Sequence, residues 1–145
     1  MIQRLQSIFL LLSGGCLGGS LAVPFADSAA AVPGTLFADG LFTAADATGV
    51  LALLGLGAVA AVVAIFLYGN RPVQRNVAWA AAICAFSAIA LGVFTFLQQG
   101  AAMGEVAVDE EPGAALPVLA IVFAVLAARY IDKDERLVRS ADRLR

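Results

Sequence analysis

Apolar residues fall in four long blocks, at about 5–23, 48–68, 77–98 and 114–129, broken mainly by Gly, Ala and Ser rather than by charge. A helix needs roughly 20 such residues to cross a hydrocarbon core about 30 Å thick. The pattern therefore predicts an all-α membrane protein, a four-transmembrane-helix bundle in one domain covering the whole chain. Its connections are loops at 24–47, 69–76 and 99–113, and a polar tail at 130–145. The fourth block is the shortest, with Pro117 near its start, where a helix tolerates proline, and Arg129 at its end.

Within the blocks the small residues are patterned. Gly14 with Gly18, and Gly15 with Gly19, make two overlapping GxxxG pairs, the spacing that lets a second helix approach closely in lipid. Ala81, Ala85, Ala88 and Gly92 form a smooth stripe at helical spacing in the third block, and Gly57, Ala61 and Ala64 do the same in the second. The glycine pairs and the third-block stripe are the candidate helix-packing positions.

The first long loop carries a β signal. Residues 35–38 and 41–44 are β-prone and flank Asp39-Gly40, which predicts a small hairpin with a type I′ turn, burying Phe37 and Phe42 on the helix ends. The 103–108 piece of the other long loop is placed to add a third strand.

Charge adds orientation. All nine Lys and Arg lie at Arg4, Arg71, Arg75 or in 129–145, whereas loops 24–47 and 99–113 carry acids only. The positive-inside rule puts both termini and loop 69–76 in the cytoplasm and the acidic loops, hairpin included, in the periplasm of a bacterial inner membrane. Composition agrees, at 61% hydrophobic and 14% charged residues with a mean hydropathy of +0.92. The first block also has signal-peptide features, namely Arg4, a Leu-rich centre and small residues near Ala29 to Ala31. Its length and glycine pairs favour retention, and the other blocks keep the same orientation in either case.

Chemistry is scarce. Histidine is absent, which removes the commonest metal and haem ligand and the usual general base near neutral pH. Cys16 and Cys84 lie in apolar blocks without a CxxC pattern. No ionisable residue interrupts a block, and no nucleophile and base stand at a recognisable spacing. We expect no enzyme, no catalytic residue, no cofactor and no metal. Asp109, Glu110 and Glu111 read as a solvated cluster, and the tail's mixture of six bases with four acids argues against nucleic acid.

The tail is the candidate partner-binding element. If the fourth helix continues, it projects about 25 Å beyond the membrane, with Asp132/Arg136 and Glu135/Arg139 as acid-before-base pairs four apart. Leu137, Ala141 and Leu144 share one face, and Arg136, Arg139 and Arg143 cluster on the other. Such a helix suits a cytoplasmic or membrane protein partner, a second copy in a homo-oligomer, or the lipid surface. The expected function is that of a non-enzymatic accessory or scaffold subunit docking through this helix. The alternative is a small transporter or channel for a neutral solute or lipid, with an oligomer as one form of it.

The opening Met1-Ile2-Gln3-Arg4-Leu5-Gln6-Ser7 and the ending Lys133-Asp134-Glu135-Arg136-Leu137-Val138-Arg139-Ser140-Ala141-Asp142-Arg143-Leu144-Arg145 resemble the two ends of the domain of unknown function 4293 family. These are small four-span membrane proteins of Bacteroidetes-type bacteria, and the loop lengths and four apolar blocks fit the same pattern. The resemblance implies location and topology, and brings no activity, cofactor or catalytic residue.

Overall fold

A computed structural model describes the backbone of residues 2–103 and 106–142, and the side chains of 5–99 and 106–138. The chain is mostly helical, with α1 (Ile2–Gly19), α2 (Thr48–Phe66), α3 (Arg71–Met103) and α4 (Ala115–Asp142) joined to a small sheet of β1 (Ala26–Ser28), β2 (Leu41–Phe42) and β3 (Val108–Glu110). Three helices are long and apolar enough to cross a membrane, through Thr48–Phe66, Arg71–Gln99 and Pro112–Val138, while Leu5–Gly19 is a shorter apolar helix. The four pack in a ring, α1 touching α2 and α4, and α3 touching the same two.

Local chemistry sets the helix ends. The first apolar block leaves the helix at Gly19, four residues before its apolar character ends at Val23, because two glycines weaken the last turn. The Ser20 hydroxyl then donates to the Cys16 carbonyl at 2.9 Å. The third helix starts six residues earlier than Val77. Asn70 caps it, its side-chain oxygen accepting from the Val73 N–H at 3.3 Å, and Pro72 sits in the first turn, where no N–H is needed. At 33 residues, α3 is about 50 Å long, more than a bilayer core requires. Tyr68 and Trp79 stay exposed near its start, the level at which aromatics anchor a helix to the water interface.

Lipid tails are as apolar as leucine, so close contact and shared hydrogen bonds hold such helices together. At Gly57 an added Cβ would lie 3.0 Å from Leu17 Cδ1 and 3.2 Å from Cys84 Cβ, so α1, α2 and α3 converge on a residue without a side chain. Gly14 lies against Ala61 and Val62 of α2. Between α1 and α4, the buried Ser13 hydroxyl donates to the Ala120 carbonyl at 3.0 Å. Phe9 stacks on Phe123 and on Tyr130, with ring centroids 6.3 and 5.4 Å apart.

The expected 35–38/41–44 hairpin does not form. Its second half does enter a strand, but β2 pairs with β1, and β1 also pairs with β3, giving an antiparallel sheet of order β2-β1-β3 with Ala26 opposite both Phe42 and Glu110. A type I′ turn needs positive φ at both central residues. Here only glycines have it, Gly40 at 88° and Gly34 at 83°. Residues 35–38 instead coil so that Phe37 is fully buried against Phe42 and Phe96, while the Leu36 N–H donates to Gln99 Oε1 at 2.6 Å. The β1 segment was inconspicuous in sequence because only three residues alternate, with Asp27 outward between buried Ala26 and Ser28.

Candidate functional site

Two regions stand apart from the packed interior, one at each end of the molecule. At the sheet end, α2, α3 and the start of α4 line a half-open cavity of about 530 Å³ beneath the strands. Val50 and Leu54 of α2 and Ala88, Gly92 and Phe96 of α3 line it, with Phe25 and Phe42 below the sheet and Ala114, Ala115 and Pro117 along α4. Small side chains at 88, 92, 114 and 115 leave the space open. An added Cβ at Gly92 would meet only Val50, at 3.9 Å.

Among the described residues, the only charged side chains lining this cavity are Glu110 and Glu111. Backbone bonds hold them there. Ala26 faces Glu110 across the β1–β3 ladder, and the Glu111 N–H donates to the Phe25 carbonyl at 3.0 Å. The chain then passes through a single turn at Pro112–Ala114, so close to 23–24 that a Cβ on Gly113 would overlap the carbonyl oxygens of Pro24 and Val23. Asp109 and Glu110 are exposed and Glu111 is half-buried, in keeping with the solvated cluster expected from sequence, which gives no sign of the cavity beside it. The cavity is not legible in sequence because its lining comes from five separate segments.

At the other end, α4 runs unbroken past Arg129 to Asp142. Its first turn beyond Arg129 belongs to the packed body. Ile131 is fully buried, Asp132 Oδ1 lies 3.0 Å from Arg75 Nη1, and Asp134 Oδ2 lies 3.0 Å from Arg71 Nε. Asp132, expected to pair along the tail with Arg136, thus reaches across to α3. A shallow cleft of about 270 Å³ lined by Pro72, Arg75, Asp132, Glu135 and Arg136 marks the junction.

Of the candidate partner-binding residues, Arg136 and Leu137 are exposed on α4, Leu137 at 49%. Arg139 and Ala141 continue the same helix with side chains outside the described residues, and Arg143 and Leu144 lie outside them altogether. The candidate packing residues divide. Ala81, Ala85 and Ala88 are buried, Gly92 borders the cavity, Gly14 meets α2, and Gly19 faces Leu116 of α4. Gly15 and Gly18 point outward into open space, so within this chain neither GxxxG pair packs as a unit.

Apolar helices of spanning length, a sheet closing one end and ion pairs fastening the other make this a small helical membrane protein. The chain belongs to the family described as Domain of unknown function (DUF4293), which it matches over residues 2–144. No curated protein matches it.

Proposed function

We propose that this protein is a non-enzymatic accessory or scaffold subunit of the bacterial inner membrane, with four spans, both termini in the cytoplasm, and the end of α4 as its docking element. One observation supports the docking role above others: α4 continues without a break to Asp142, well beyond Ile131, the last buried side chain among the described residues of the helix. A continuous helix presents side chains at fixed spacing, and its ordered backbone leaves little further entropy to lose on binding a partner. The cluster of Arg136, Arg139 and Arg143 suits a cytoplasmic protein with an acidic surface, and the Leu137, Ala141 and Leu144 face suits an apolar groove beside it.

The test is photocrosslinking in intact membranes from a photoreactive residue at position 137. The expected result is one discrete protein adduct, lost when Arg136 and Arg139 are both changed to Glu and retained when Arg75 is. Adducts to lipid alone, or to a second copy of this chain, would replace the reading with a surface anchor or a homo-oligomer. Transport of a neutral solute or lipid, the alternative, draws support only from the cavity at the sheet end.

A further inference from the structure

We propose that the cavity beneath the sheet is a binding site for a single-chain amphiphile with a cationic amine head. Its volume, about 530 Å³, lies within the range of small-molecule sites, roughly 300–1,000 Å³. From Ala88 to Phe96 it extends about 12 Å along α3, room for a medium-length alkyl chain. The deep wall is apolar and buried at Val50, Leu54 and Ala88. Val93, on the flank, is 52% exposed, so a chain can enter sideways from lipid.

Charge selects the head group. Glu110 and Glu111 stand at the rim, and among the described residues neither takes part in an ion pair. No Lys or Arg occurs between residues 5 and 70 or between 76 and 128, so nothing at this end offsets the two carboxylates. A carboxylate or phosphate head would be repelled there, including the phosphate of a bilayer phospholipid. A protonated amine finds two acceptors at the mouth of an apolar slot. The free amphiphile is therefore the occupant, rather than an amine-headed lipid. The cavity and the α4 tail lie at opposite ends of the molecule, so neither reading depends on the other.

The experiment is native mass spectrometry of the full-length protein in detergent with dodecylamine, dodecanol and dodecanoate at neutral pH. We expect one dodecylamine per protein, bound at least about tenfold more tightly than dodecanoate, with dodecanol between. Changing both Glu110 and Glu111 to Gln should weaken dodecylamine by about fivefold, towards dodecanol, as loss of a partly solvated ion pair implies. Gly92→Leu, whose Cβ would meet only the Val50 side chain and whose remaining atoms take up space in the slot, should abolish binding of all three. Val93→Trp, at the exposed flank, gives the same readout should Gly92→Leu lose its helical circular dichroism. Equal binding of amine and acid by the wild type would overturn the proposal, as would undiminished dodecylamine binding by a folded filling variant. Loss of the dodecylamine adduct in nanodiscs containing phosphatidylethanolamine, but not phosphatidylcholine alone, would assign the site to a lipid head group and overturn it too.

Discussion

Gly113 and Gln6 illustrate how single side chains, present or missing, decide local structure. At Gly113 the backbone of the turn leading into α4 approaches the Val23 and Pro24 carbonyls so closely that any Cβ must displace one segment from the other. Gly113→Ala should cost about 2 kcal/mol, in the range of overpacking, and lower the thermal midpoint of the purified protein. An unchanged midpoint would show that the turn relaxes freely. Gln6 presents the opposite problem: it is fully buried, and among the described residues neither of its amide atoms has a hydrogen-bond partner. Such a group bears a desolvation penalty without compensation. Gln6→Met, of similar shape, should raise stability by about 1 kcal/mol, whereas a fall would reveal a bridging water or partner at that amide. Neither position was conspicuous in sequence, since a glycine before a helix and a glutamine near an N-terminus are both ordinary.

Helices were the most legible elements because each follows from a periodic or continuous apolar run. Even so, the small residues that looked equivalent along the chain are not. Gly57 lies where α1, α2 and α3 meet, and Gly15 faces outward with nothing within 4 Å of an added Cβ. Gly57→Leu should therefore lower stability by about 2 kcal/mol or more, and Gly15→Leu should change it little. Parallel thermal unfolding in one detergent decides this, and comparable losses at both sites would mean that Gly15 packs against a second copy. The strands were the least legible. Asp39-Gly40 pointed to a local hairpin, but pairing was decided by Ala26 and Glu110, distant in sequence, and by the burial of Phe37 beneath Phe42 and Phe96. Turn propensity is a short-range preference, and burying a phenylalanine outweighs it.

On the scale of the whole molecule, the acidic sheet and the basic start of α3 lie at opposite ends of the helices, matching the segregation of charge along the chain. The proposed orientation has a direct check. In a variant with Cys16 and Cys84 both changed to Ala, single cysteines at Asn70 and Leu137 should react with a membrane-impermeant maleimide only after the inner membrane is opened. Cysteines at Gly34 and Asp109 should react in intact spheroplasts. The reverse pattern would overturn the proposed orientation, and labelling of Asn70 and Leu137 from different sides would overturn the four-span arrangement.

By itself the sequence determined the apolar helices and their approximate limits, the segregation of acid from base, and the continuation of the last helix into a charged tail. These depend on runs, periodicity and neighbouring charge, all of them local properties of a chain. Only the tertiary structure decided which glycines are contacts and which are surface, which segment supplies the central strand, and where Asp132 and Asp134 find their arginines. It also decided that two carboxylates from a connecting loop stand over an apolar cavity. Those outcomes depend on volume and on partners far apart in the chain, and a one-dimensional pattern carries no measure of either.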